Sequence, residues 1–238
     1  MFNFFKRKKD SYYQKLIKSN NKSQYNFNSK YRNQESKLLK IYGKCGKING
    51  QITILLITDT HGYLKEKEFS EFILKNNNYD ICLLLGDHSS EDVKIVLKYV
   101  KREKIYALLG NHDNDYITQF DLNNLNGNVI EINGIKLLGI QGSYRYKPGD
   151  FPSFSQEESL EFLEGMPKID ILVCHDSPFE LSQRNDVAHQ GLFGITYYLY
   201  KNKVPYCIHG HLHTKYSKQM SNGTVVNCYY MYDYIKIN

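Results

Sequence analysis

Five short polar clusters hold the side chains of this 238-residue chain that can do chemistry. They are Asp59-Thr60-His61, Gly86-Asp87, Gly110-Asn111-His112-Asp113, the single His175, and His209-Gly210-His211-Leu212-His213. Asp59 and His61, two apart on a loop, can ligate one ion. Asp87, following a glycine, can bridge two. Asn111 offers a neutral amide oxygen, and His175, His211 and His213 offer imidazoles. These oxygen and nitrogen donors suit Mn²⁺, Fe or Zn²⁺ alike. Two ions about 3.5–4 Å apart can clamp an oxyanion and acidify a shared water, which is what a phosphate ester requires. His112 is free to protonate a leaving alkoxide, with Asp113 expected to orient its ring. Taken singly, an Asp-x-His or a Gly-Asn-His-Asp more often closes a turn. Five clusters holding six of the eight histidines are not independent accidents.

The elements that must position them are legible as well. Each cluster follows an apolar run: Ile52 to Ile57, Ile81 to Leu85, Ile105 to Leu109, Ile169 to Cys174, Pro205 to Ile208. Such runs bounded by turn signals read as buried parallel strands, and ligands gather outside the carboxyl ends of those strands. Lys65 to Asn76 and Glu91 to Lys101 place apolar residues on one helical face, giving strand–helix alternation. Ser155 with Glu158 forms a capping-box pattern opening a helix to Gly165, and Gly194 to Asn202 is a further helix. Asn133-Gly134 and Asn222-Gly223 join β-rich runs as hairpins. The expected fold is α/β: two sheets with helices outside.

Charge divides the chain. Residues 1–47 carry 13 Lys/Arg against Asp10 and Glu35, a formal +11, whereas the remainder is at −5. Residues 1–46 are therefore expected to be a flexible basic tail or a weakly formed helix, and residues 47–238 the working domain. The tail cluster Lys6-Arg7-Lys8-Lys9 can attract nucleic acid through its phosphates, but a solvated charge run is the favoured reading. Five scattered cysteines suit free thiols in a reducing cytosol. No run approaches a membrane span, so a cytoplasmic protein is expected.

The ordered set Asp59-x-His61, Gly86-Asp87, Gly110-Asn111-His112-Asp113, His175 and Gly210-His211-x-His213 resembles the calcineurin-like metallophosphoesterase superfamily over about residues 51–237. The resemblance implies a four-layer α/β/β/α sandwich and a two-metal site. One ion would be held by Asp59, His61, Asp87 and His213, the other by Asp87, Asn111, His175 and His211. It also implies His112 as general acid, Mn²⁺ as the first expectation for both ions, and a small phosphate ester as substrate. His88-Ser89-Ser90 replaces the Asp-Arg-Gly continuation of protein Ser/Thr phosphatases, pointing instead to the small prokaryotic-type members. A nuclease and a non-catalytic scaffold of the same fold are the alternative readings.

Around the site, Arg145 in the loop Gly142 to Gly149 is a candidate phosphate grip, and His189 a candidate substrate contact. His88 is expected to cap the helix after it, and His209 to stand behind the ligands.

Overall fold

The computed structural model describes residues 29–181 and 186–238; the basic cluster at residues 6–9 lies outside them. In chain order the helices are α1 (Glu35–Tyr42), α2 (Glu66–Lys75), α3 (Ser90–Tyr99), the single turn α4 (Tyr116–Gln119), α5 (Gln156–Glu164) and α6 (Phe193–Lys201). The strands are β1 (Ile52–Thr58), β2 (Ile81–Leu84), β3 (Ile105–Ala107), β4 (Asn123–Asn124), β5 (Val129–Ile132), β6 (Ile135–Ile140), β7 (Ser143–Tyr144), β8 (Ser153–Phe154), β9 (Ile171–Cys174), β10 (Tyr206–His209), β11 (Tyr216–Gln219), β12 (Val225–Cys228) and β13 (Met231–Ile237).

Two mixed sheets result. The first has the order β13-β1-β2-β3-β4, parallel except for β13, which pairs antiparallel to β1. The second runs β11-β12-β10-β9-β6-β5, with a parallel centre and antiparallel edges at β11 and β5. Both edges are the expected Asn-Gly hairpins: β5 meets β6 with Ile132 opposite Ile135, and β11 meets β12 across Asn222-Gly223.

Strand alternation divides the apolar residues among three layers. Ile52, Ile54 and Leu56 face Leu137, Ile171 and Ile208 between the sheets. Leu55 and Ile57 face the opposite way, against Phe69 of α2 and Val93 and Val96 of α3. Leu172 and Cys174 of the second sheet pack on Leu160 of α5, Tyr197 of α6 and Leu38 of α1. Every residue of β1 is buried, and apart from Thr53 and Thr58 its run is apolar rather than alternating. The expected capping box at Ser155 and Glu158 is formed, and a second one, Ser89 with Asp92, opens α3. All five cysteines are free thiols. Among the described residues no helix is long and apolar enough to cross a membrane.

The expected boundary of the tail at residue 46 differs from the structure. From Tyr31 to Tyr42 the chain lies on the body: Tyr31 stacks on Phe193 with ring centroids 4.7 Å apart and donates from its hydroxyl to Glu157 at 2.6 Å. Leu38 is fully buried against the α5–α6 layer. These few anchors sit in a Lys-, Asn- and Ser-rich context whose average hides them. Truncating such a side chain costs about 2–5 kcal/mol. Leu38→Ala is accordingly expected to lower the urea midpoint of the whole domain in one transition, whereas a detached tail predicts no change.

Candidate metal centre and catalytic cleft

The carboxyl ends of β1, β2, β3, β9 and β10 open on one rim, and the chain turns there at Asp59, Asp87, Asn111, His175 and His211. The turns are sharp. Asp59, His61, Asp87, His211 and His213 all have positive φ, at 52°, 46°, 59°, 67° and 50°. Backbone of this kind is unfavourable for non-glycine residues, persists only where surroundings over-determine it, and clusters at functional sites. Here the surroundings are inter-loop hydrogen bonds. Asp59 N–H donates to the Gly86 carbonyl at 2.9 Å and His61 N–H to that of Asp87 at 3.0 Å. His211 N–H donates to the Asp59 carboxylate at 2.9 Å, and so does the Thr58 hydroxyl at 2.6 Å.

Two glycines let the loops approach. A Cβ on Gly110 would run into the Asp87 carboxylate and the His175 ring, and one on Gly210 into Thr58 Oγ1 and the Asp59 carboxylate. Gly110→Ala is therefore expected to abolish metal binding in a Mn²⁺ titration and to lower thermal stability. Retained stoichiometry would show that the loops can yield.

The structure brings the expected ligand atoms together in two groups. Asp59, His61, Asp87 and His213 each offer one atom within 4.8 Å of the others, as do Asp87, His175 and His211. Asp87 belongs to both groups. Asn111 joins the second, with Oδ1 3.1 Å from His175 Nε2. In the first, His61 Nε2 and His213 Nε2 lie 3.0 Å apart.

The electrostatics of the cluster call for positive charge. Asp87 Oδ1 accepts from the His112 N–H at 2.9 Å, but its buried Oδ2 has no hydrogen-bond partner among the described residues. That oxygen lies 3.5 Å from His61 Nε2 and 3.6 Å from His175 Nε2. His175 Nδ1 sits 2.8 Å from the Leu85 carbonyl, which can only accept, so Nδ1 carries the proton and Nε2 turns a lone pair toward Asp87. Two acceptors so placed need a proton or a cation between them. Burial alone would lower the His175 pKa, but Asp87, Asp59 and Asp113 hold it above the ordinary imidazole value. Burial also acts to raise the Asp87 pKa, and His175, the His112 N–H, and the His112 and His61 rings more than offset it, leaving it below the usual range. Asp59 is pushed up by burial. Its neighbour His211, buried beside His175, is held far below the ordinary imidazole value and so keeps a neutral ring fit for ligation. Buried carboxylates are otherwise paired or metal-bound, and among the described residues no Lys or Arg ion pair reaches Asp59 or Asp87. The donor set, the shared carboxylate and the partnerless Oδ2 all fit a pair of divalent cations.

His112 projects from the Asn111 turn into a cleft of about 370 Å³ lined also by His61, Asp87, Ser89 and Asn114. Its exposed ring stands 5.6 Å from that of His61, centroid to centroid. Asp113 does not have the expected role of orienting that ring. Its carboxylate instead accepts three backbone N–H groups, from Asp87 and His88 at 2.7 Å and Gly110 at 2.6 Å, and so splices the Asp87 loop to the Asn111 loop. Burial and the nearby Asp87 push its pKa up to about 7.

Other residues also differ from expectation. Ser89, not His88, caps α3. The buried His88 ring bonds instead through Nδ1 to Thr60 Oγ1 at 2.8 Å, and Thr60 in turn donates to Asp92 at 2.7 Å. Asp92 also accepts the N–H groups of Gly62 at 2.6 Å and Leu64 at 3.1 Å, fixing the loop that carries His61. His209 ends β10 with Nδ1 2.9 Å from the Gly210 carbonyl and Nε2 2.9 Å from the Tyr216 hydroxyl, a structural position in which burial lowers its pKa to about 4. Arg145, the expected phosphate grip, pairs with Glu158 at 2.7 Å and 3.1 Å and bonds Ser153 Oγ at 3.2 Å, tying β8 to the start of α5. His189 is brought to the site's edge, its ring 5.0 Å from that of His211, with Nδ1 held by Asp186 at 2.7 Å.

Sequence reasoning missed Asp92 and Asp176. The pattern Ser89-x-x-Asp92 was the available signal for the first. Asp176 accepts the N–H groups of Tyr144 at 2.9 Å and Ser177 at 2.7 Å, and burial raises its pKa to about 6. Its position directly after His175 was its only mark in the sequence.

Comparison with known proteins bears on the fold and the family. No curated protein matches the chain by sequence. Among solved structures, the phosphopantetheinyl hydrolase PptH of Mycobacterium tuberculosis is similar with a TM-score of 0.55 and 12% identity, over 77% of this chain and 91% of that one. The protein TT1561 of Thermus thermophilus gives 0.53 and 12%, over 74% and 88%. A putative 5'-nucleotidase from Staphylococcus aureus gives 0.53 and 17%, over 79% of this chain and 51% of that one. At such identities the likeness is one of fold. The calcineurin-like phosphoesterase family profile matches residues 52–215, the span that holds every candidate ligand, and the chain belongs to that family.

Proposed function

We propose that this chain is a dinuclear metal-dependent phosphoesterase acting on a small phosphodiester or phosphomonoester, with His112 as general acid. The observation that carries the reading is Asp87, common to two groups of ligand atoms and holding a buried, partnerless Oδ2. Asp59, His61, Asp87 and His213 would hold one ion, and Asp87, Asn111, His175 and His211 the other. Mn²⁺ suits this mixed oxygen and nitrogen set, as Fe or Zn²⁺ also would. Ions so held supply Lewis-acid polarisation of the phosphoryl group and acidify water.

The chain's own residues supply the rest. His112 has an exposed imidazole beside the cluster and a backbone N–H fixed on Asp87, so it can carry a proton to a leaving alkoxide. Asp113 keeps the two loops in register, and Asp92 keeps His61 in place. Arg145, engaged by Glu158, stands as a structural clamp rather than a substrate contact. His189 is adjacent to His211 and remains suited to touch a substrate there.

The test is hydrolysis of bis-p-nitrophenyl phosphate and p-nitrophenyl phosphate with Mn²⁺ and with chelator. Turnover that chelator abolishes and Mn²⁺ restores is expected, and the preferred ester separates diesterase from monoesterase. Equal rates with and without chelator would contradict the proposal.

A further inference from the structure

A second hollow of about 510 Å³ is lined by Tyr63, Lys65, Glu68, Lys215, Tyr230 and Tyr232, and meets the metal cluster where Tyr230 stacks on His213. Four rings run across the rim in sequence. His112 and His61 have centroids 5.6 Å apart, His61 and His213 4.9 Å, and His213 and Tyr230 5.3 Å, the last pair stacked at 24°. The hollow therefore begins where the ligand cluster ends.

Its walls differ in rigidity. Tyr230 is braced by His213, and Tyr232 by Phe69 and Phe72 at 5.6 Å and 4.7 Å. Tyr63, two residues beyond His61, is 74% exposed, whereas most large apolar side chains here are buried. The cations of the hollow are balanced: Lys65 pairs with Glu68 at 3.0 Å and Lys215 with Asp233 at 3.0 Å. Such a site offers aromatic faces and hydrogen-bonding edges without net charge. It suits a neutral planar group while the ester's charge lies at the metal cluster.

We infer that the hollow between Tyr63, Tyr230 and Tyr232 binds a nucleobase, so that the substrate is a nucleotidyl phosphate ester whose nucleoside is retained and whose other alcohol leaves on the His112 side. This rests on the phosphoesterase reading for the place of the phosphate. Base–aromatic stacking tolerates every base, because each has a π-face, so the preference is for nucleotides as a class.

The test compares thymidine 5'-(p-nitrophenyl) phosphate with methyl p-nitrophenyl phosphate, which share a leaving group and differ in the retained alcohol, a nucleoside against methanol. In Mn²⁺-loaded wild type the ratio of kcat/KM is expected to favour the thymidine ester by about 5- to 150-fold, the scale of one stacked base. Tyr63→Ala should collapse that ratio and Tyr63→Phe should keep it. A wild-type ratio near one, or a ratio untouched by Tyr63→Ala, overturns the inference. Preference for octyl p-nitrophenyl phosphate over the thymidine ester also overturns it, in favour of an acyl chain. Saturation-transfer NMR with thymidine 5'-monophosphate reads the hollow without turnover. Base protons that saturate in wild type but not in Tyr63→Ala support the hollow even if neither ester is hydrolysed, in which case the esterase reading alone fails. Absent saturation of the base overturns the inference.

Discussion

Asp87→Asn is expected to remove metal-dependent turnover, by about 10³-fold or more in kcat, which is roughly 4 kcal/mol of transition-state stabilisation. The substitution keeps the shape of the side chain and one carbonyl oxygen to accept the His112 N–H. It removes the charge that two ions would share. The same variant should lose the thermal stabilisation that Mn²⁺ confers on wild type. Binding at 100 times the dissociation constant stabilises a fold by about 2.7 kcal/mol, a shift of roughly 5–10 °C for a domain of this size. A calorimetric scan with and without Mn²⁺ reads this directly. An Asp87→Asn protein that keeps both turnover and the metal-induced shift would remove Asp87 from the centre of the account.

His112→Ala is expected to act differently. Its ring is exposed and meets the half-buried His61 ring edge-on, so stability should change by no more than about 0.5 kcal/mol, as for ordinary surface sites. Metal stoichiometry should be retained. A positioned general acid contributes about 10²- to 10⁴-fold, and only where the leaving group needs its proton. An alkyl ester should therefore lose activity by that factor. A p-nitrophenyl ester, whose leaving group departs as a stable anion, should lose far less. A loss equal for both leaving groups would assign His112 to binding or positioning instead of proton transfer.

The order of strands and clusters was legible because burial and chemistry leave local marks. β1 is buried at every position, since both of its faces are covered, and Asp59 follows at its end. Asp87, Asn111, His175 and His211 repeat the pattern at four other strand ends. What was not legible depends on contacts between distant residues. Asp113 adjoins His112 in sequence, yet its carboxylate faces three N–H groups from the neighbouring turns. Arg145 reads as a free cation until the capping Glu158 is placed against it. The aim of the histidines after β10 was hidden too, since the strand stops at His209 and His211 and His213 adopt left-handed backbone. Tyr31 and Leu38 hide in a segment whose composition is that of a solvated tail, although both are buried against the body.

On the proposed function, Asp87 joins two cations in one centre. The most direct measurement is an electron paramagnetic resonance titration of the chelator-stripped protein with Mn²⁺. Two ions per chain with an exchange-coupled spectrum, its hyperfine spacing halved relative to isolated Mn²⁺, is the predicted result. A spectrum of isolated six-line Mn²⁺ at saturation, whatever the stoichiometry, would contradict a carboxylate-bridged pair.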